Sequence, residues 1–276
     1  MDPSHSSITS SLIDRERLYH LIKIAVIFLG GLSVLFALAA FPTDAFHWGY
    51  LLLVLSSIFV APRMSLTLPR SKFALSFADV LIFLTFLLYG GSAAILLSAV
   101  EMLSLCLYLR SRGFPFGRLM IPVNIGINAA STTGTFLVWL AIPSITGISL
   151  ASTQTRELIV ILGILALAQF AISSVLAAIV HSFKDWSSLW DTWKKDCFTS
   201  SMTQMVGAGI AGLIFKLVNY GDLLTFVIAF VALGIAYLNY RQSIEEINEG
   251  IEKVEEAERQ RANTEMQRRI EAESYA

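Results

Sequence analysis

"FADVLIFLTFLLYGGSAAILLSAVEML", residues 77–103, is nearly unbroken hydrocarbon with a carboxylate close to each end, Asp79 and Glu101. A charge at the middle of a membrane span costs about 2.5–3.5 kcal/mol even on lenient insertion scales. A chain that keeps two acids in such a stretch must therefore satisfy them. The surroundings identify the solvent. Of 276 residues, 55% are hydrophobic and only 15% charged, against roughly 25% charged in a soluble domain, so most of the chain belongs in a lipid bilayer. The net charge of −1 argues neither for nor against nucleic acid, and no nucleic-acid partner is expected. Cys106 and Cys197 match no zinc or redox spacing, and His5, His20, His47 and His181 are scattered. Neither a metal nor a cofactor is expected. The polar N-terminus, Met1 to Glu16, runs into an apolar segment with no small-x-small cleavage signal before Phe41, which reads as a retained signal anchor.

Hydropathy picks out eight segments of the kind that cross ~30 Å of hydrocarbon: 21–41, 47–61, 76–90, 92–109, 119–142, 157–181, 197–217 and 222–240. The second and third are short and also fit a single re-entrant element. The basic residues give an independent check. Counted segment by segment from the N-terminus, they number three, zero, three, zero, three, one, three, one and six. Lys and Arg concentrate on the cytoplasmic side, and omitting any one segment inverts the pattern downstream. The expected fold is thus an all-α integral membrane protein with eight transmembrane helices and both termini cytoplasmic. Residues 1–20 form a cytoplasmic N-terminal segment, 21–240 the membrane domain and 241–276 a cytoplasmic helix. Cys106 and Cys197 fall toward the cytoplasmic side, where thiols stay reduced.

Three connecting stretches carry further signals. "MSLTLPRSKFALSF" (64–77) alternates apolar and small or polar residues around "PRSK", which reads as a short β-hairpin or as an extended loop. "DWSSLWDTWKKD" (185–196) places Trp186, Leu189, Trp190 and Trp193 on one helical face. Two readings stand for it: a helix in the headgroup layer with the tryptophans as interface anchors, or tryptophans packed on neighbouring helices. "GAGIAG" supplies the small-xxx-small pairs Gly207/Ala211 and Ala208/Gly212. These suit close helix packing within the chain or a dimer seam.

At 1.5 Å rise per residue, topology assigns depths to the intramembrane polar residues. Asp79 falls near the inner boundary and Glu101 near the middle. Asn124 and Asn128 lie one turn apart from the inner third to the middle, with Gln169 at the middle and Gln204 in the inner third. Asp79 has a structural explanation, since Ser76 three residues earlier fits a capping box at a helix start; a functional role stands beside it. For Glu101 there is no Lys or Arg at its level. It marks either a ligand, proton or ion site or a structural hydrogen-bond knot, with Asn124, Asn128 and Gln169 as the partners by depth.

Beyond the last span, Tyr240, Ile244, Ile247, Ile251 and Val254 follow the 4-3-4-3 spacing of a coiled coil. The heptad fails at Glu258 and Arg261, so residues past about 258 read as a solvated helix or disordered tail. The chain stops mid-pattern at "EAESYA", which suggests a segment that continues in a longer parent.

The stretches "LTLPRSKFALSFADVLIFLTFLLYGGSAAILLSAVEML", "NIGINAASTTGTFLVWLAI", "LAQFAISSVLAAIVHSFKDWSSLWDTWKKD" and "GAGIAGLIFKL" resemble the multi-spanning N-terminal sensory regions, MASE-like, of bacterial signalling proteins. Those regions precede GGDEF diguanylate cyclase, HD-type phosphodiesterase or histidine kinase domains. The resemblance implies a bacterial inner-membrane input module, a homodimer through the C-terminal helix, that relays a membrane or ligand signal to an output domain. Residues 241–276 contain no GGDEF, HD or phosphoacceptor motif, so the output is implied for a partner protein or a further segment, and no enzymatic activity for this chain. The competing expectation is a small-molecule transporter, or the membrane subunit of one, with a mid-membrane polar site around Glu101.

Overall fold

The computed structural model describes residues 3–64, 66–67, 74–75, 78–147, 155–194 and 198–220, together with Glu256, Gln260 and Thr264. Their order is α1 (Pro3–Ala39), α2 (Trp48–Phe59), β1 (Leu66–Thr67), β2 (Ala74–Leu75), α3 (Ala78–Tyr89), α4 (Gly91–Ser111), α5 (Met120–Thr146), α6 (Thr155–Asp185), α7 (Leu189–Thr192) and α8 (Phe198–Tyr220). Four of these are long and apolar enough to cross a membrane: Arg15–Ala39 of α1, α4, α5 and Arg156–Lys184 of α6. Shorter apolar helices occur at 48–59, 78–89 and 204–218. α2 and α3 have 12 residues each, about 18 Å at 1.5 Å per residue, less than the ~30 Å of hydrocarbon. The eighth expected span, 222–240, and the heptad residues Tyr240 to Val254 lie outside the described residues. α1 is one helix from Pro3, so the polar N-terminal segment and the first span share a single rod.

Five helices close a ring. α4 packs on α5, α5 on α6, α6 on α8, α8 on α3 and α3 back on α4. α1 lies outside against α5 and α4, and α2 against α4 and α3. The touching residues give the directions. Gly91 meets Phe136, Glu101 meets Asn128 and Cys106 meets Asn124, descending α4 while climbing α5. Thr135 meets Gln169 and Gly134 meets Ile172, while Ser173 meets Gln204 and Leu162 meets Gly212, so α6 runs against both α5 and α8. α1 is parallel to α5, with Val26 in one buried cluster with Val123 and Phe36 near Phe136. The exposed cations Arg15, Arg17, Arg63, Arg110, Arg112, Arg118, Lys184 and Lys194 are thereby gathered at one end of the bundle.

Local sequence explains the sharpest turns and closest approaches. One residue, Gly90, links α3 to α4 at φ 84°, a left-handed conformation that glycine adopts without a Cβ clash. Ile82 and Phe86 of α3 then pack on Ala94 and Leu97 of α4. A Cβ at Gly91 would strike the Phe136 ring. At the α1–α5 crossing a Cβ on Gly30 would strike the backbone of Gly126, and one on Gly126 would come 2.7 Å from the Val26 carbonyl. The small residues of "GAGIAG" serve packing within the chain: Gly207 faces Asp79 and Val80 of α3, Gly212 faces Leu162 of α6, and Ala208 and Ala211 are buried.

Two connections refine the sequence reading. The alternation in 64–77 is a short antiparallel pairing, Leu66 opposite Leu75 and Thr67 opposite Ala74; the intervening 68–73 lie outside the described residues. The tryptophan stretch is not one helix. α6 ends at Asp185, Trp186 turns the chain at φ 51°, and a new helical turn starts at Leu189. Trp186 and Trp190 are exposed, whereas Trp193 turns inward and donates its Nε1–H to Ser174 Oγ at 2.9 Å.

Replacing Gly30 by Leu should force α1 away from α5 and lower stability by about 1–3 kcal/mol, read from thermal unfolding in detergent micelles. Gly31→Ala, whose Cβ meets nothing within 4 Å, should cause no loss. Equal behaviour of the two variants would contradict the crossing.

Candidate functional site

The candidate polar residues occupy seams between the ring helices. Glu101, the eleventh of 21 residues in α4, is 2% exposed. Asn128 of α5 donates from Nδ2 to the Ser98 carbonyl at 2.9 Å and to Glu101 Oε2 at 3.4 Å. Asn124, one turn earlier, faces the same helix but reaches Cys106 Sγ at 3.8 Å instead. Cys106 is a buried free thiol, and Cys197 lies outside the described residues.

Gln169 of α6 is 1% exposed and engages α5 rather than Glu101. Its Oε1 accepts from Thr135 Oγ1 at 2.7 Å, and its Nε2 donates to Thr132 Oγ1 at 3.3 Å and Ser131 Oγ at 3.4 Å. The hydroxyls of Ser131 and Thr132 in turn donate to the Asn128 carbonyl at 3.0 and 2.8 Å. One continuous chain of hydrogen bonds thus runs from Glu101 through Asn128 and the α5 hydroxyls to Gln169, joining three helices. In hydrocarbon each buried polar atom left unpaired costs several kcal/mol, and this arrangement satisfies most of them within the fold.

Gln204 of α8 is the exception. It is 6% exposed, and its Nε2 donates to Ser173 Oγ at 3.3 Å. Its Oε1 is buried and has no hydrogen-bond partner among the described residues. An orphaned buried acceptor costs about 1–3 kcal/mol. Asp79 lies on the same side of α8: a Cβ on Gly207, three residues after Gln204, would approach Asp79 Cβ to 2.9 Å. The short α3 begins at Ala78, with Asp79 in its first turn. Gly207 is nine residues after the start of α8, so Asp79 stands beside the middle of α8. Ser76, the expected cap, lies outside the described residues.

The polar residues form a zone several turns deep. Glu101 is level with Asn128 and, about 10 Å along α5, Thr135 with Gln169, while Ser173 is level with Gln204 and Asp79 with Gly207. Directly beyond it, away from the cationic end, sits an apolar plug of Val80, Phe83, Leu84, Ile142, Ile161, Leu162, Leu165 and Ala211. Sequence reading found the acid and the amides but passed over Ser98, Ser131, Thr132, Thr135 and Ser173. For Ser131, Thr132 and Thr135 the signal was the run "ASTTGT" just beyond Asn128; hydroxyls bonded to their own helix attract little notice in a sequence.

Gln169→Leu should strip the three α5 hydroxyls of their cross-helix partner and cost about 1–2 kcal/mol of stability. Gln204→Leu, which deletes the orphaned acceptor, should be neutral or stabilising. Unfolding in detergent measures both, and a larger loss for Gln204→Leu than for Gln169→Leu would reverse the assignment of structural and spare groups.

Comparison with family models, with curated proteins and with solved structures yields no match, so the functional reading rests on this chain's own residues.

Proposed function

We propose that the chain is the membrane sensory module of a signalling system, similar to the MASE-like input regions. The observation that carries this reading is Gln204: a buried amide whose acceptor has no partner among the described residues, set in the polar layer and held on α8. A ligand that donates a hydrogen bond to Oε1 relieves the desolvation cost only in the arrangement of α8 that presents it. Such differential affinity is what shifts a two-state equilibrium. α8 precedes the 222–240 segment and the heptad residues of the tail, so a displacement of α8 is delivered toward the exit helix.

In this reading the chain crosses a bacterial inner membrane eight times, with both termini in the cytoplasm and the basic end of the bundle facing inward. It forms a parallel dimer through Ile244, Ile247, Ile251 and Val254. The output enzyme lies in a partner or a further segment, and this chain performs no catalysis. Glu101, Asn128 and Gln169 support the site; Asp79 and Gln204 border the ligand.

Two measurements test the proposal. Reporter fusions should place Gly113 in the cytoplasm and Gly147 outside. Single cysteines at Ile244, Ile247, Ile251 and Val254, in a background lacking Cys106 and Cys197, should crosslink strongly in native membranes. Glu245 and Asn248 should crosslink weakly, and Gln204→Leu should change the pattern. Uniformly weak crosslinking would overturn the relay and favour transport, for which solute flux lost in Glu101→Gln is the corresponding assay.

A further inference from the structure

The seam where α3 and α6 meet α8 holds a carboxylate without a counter-charge beside an acceptor without a donor. Asp79 has no Lys or Arg on its own helix. The basic residue of α8 is Lys216, about two and a half turns beyond Gly207, and those of α6, Arg156 and Lys184, stand at its two ends. No side chain among the described residues donates a hydrogen bond to the Asp79 carboxylate. The positive N-terminal end of α3 offsets part of the cost of that charge, and it gives Gln204 Oε1 nothing.

Geometry ties the two groups together. Gln204 precedes Gly207 by three residues, and residues at that spacing are neighbours on one helix face. A Cβ on Gly207 would come within 2.9 Å of Asp79 Cβ, so Asp79 stands against the turn that carries Gln204. Ser173 sets which end of the Gln204 amide stays free. Its hydroxyl donates to the Phe170 carbonyl at 3.3 Å, so towards Gln204 it acts as an acceptor, and it takes the Nε2–H at 3.3 Å. Oε1 is left buried without a partner among the described residues. Asp79 is only half-buried, which makes it the side from which an occupant enters.

We infer that the Asp79 carboxylate and Gln204 Oε1 together bind one small alkali cation, sodium, between α3 and α8. Both donors are hard oxygens, which suit a hard cation and not a soft transition metal. One carboxylate balances a single positive charge, whereas a divalent ion would leave a net charge in hydrocarbon. The approach of α3 to α8 at Gly207 is too close for an organic ligand to enter between them. This inference rests on the sensory reading for the use of the site and names its ligand: the ion meets Oε1 where the general case requires a donor.

Binding of radiolabelled sodium to the purified full chain in micelles, read by scintillation proximity at fixed pH, tests it. One ion per chain should bind and be displaced by excess sodium chloride, but not by choline chloride or magnesium chloride. Asp79→Asn should abolish binding. Gln204→Leu, whose lost acceptor had no partner to begin with, should fold and should raise the half-saturating sodium concentration at least about tenfold, the factor for one bond to a charged group. Asp191→Asn, which removes an exposed acid on α7, should change nothing. Absence of bound sodium would overturn the site, and Asp79→Asn as stable as the wild type would then identify a proton as what neutralises the carboxylate. Binding indifferent to Gln204→Leu, or displacement by magnesium as effective as by sodium, would overturn it too. So would an Asp191→Asn loss as large as that of Asp79→Asn, which would mean counter-ions gathered by diffuse charge. Bound sodium with tail crosslinking indifferent to it would support the site and overturn its use in signalling.

Discussion

Asn128 is the residue on which the polar layer turns. Its side-chain amide reaches α4 at the Ser98 carbonyl and Glu101 Oε2, and its own carbonyl accepts the hydroxyls of Ser131 and Thr132, which hold Gln169 of α6. In water such bonds are worth little net, because each group can bond solvent instead. Inside an apolar ring no substitute exists. α4, α5 and α6 are held in register by the requirement to satisfy one acid and two amides.

The same constraint leaves the two glutamines in different states. Gln169 has both ends of its amide occupied by α5 hydroxyls. Gln204, on the neighbouring seam, has no partner for its acceptor among the described residues. The close glycine contacts work alongside. Gly30 against Gly126 lets α1 approach α5, and Gly207 against Asp79 lets α8 approach α3. Bulkier residues would push those helix pairs apart.

Much of the fold was legible because a bilayer imposes one-dimensional rules. The segments 92–109, 119–142 and 157–181 are apolar runs of spanning length and appear as α4, α5 and α6 with similar limits. The break between the segments 76–90 and 92–109 falls at Gly90, and of the two readings of the alternation about "PRSK" the strand pairing is the one present. The tryptophan stretch misled, since Trp186, Leu189, Trp190 and Trp193 keep helical spacing although the helix breaks at Trp186. Spacing reports a possible face, whereas at the turn the Trp186 ring packs against Phe183 and Arg15, contacts that lie outside that face pattern.

Sequence by itself determined that the chain is apolar and helical, where most helices begin and end, and that Glu101, Asn128, Gln169 and Gln204 are polar side chains set in hydrocarbon. Those properties follow from composition, rise per residue and the absence of water in lipid. Tertiary structure alone decided partnership. It sent Asn124 to Cys106, Gln169 to the α5 hydroxyls and not to Glu101, and carried Asp79 to the level of Gly207. Depth along one helix is a sum of rises and can be counted. Which helix stands alongside, and by how much it is shifted, depends on the shapes of two surfaces meeting, and no single segment contains that information.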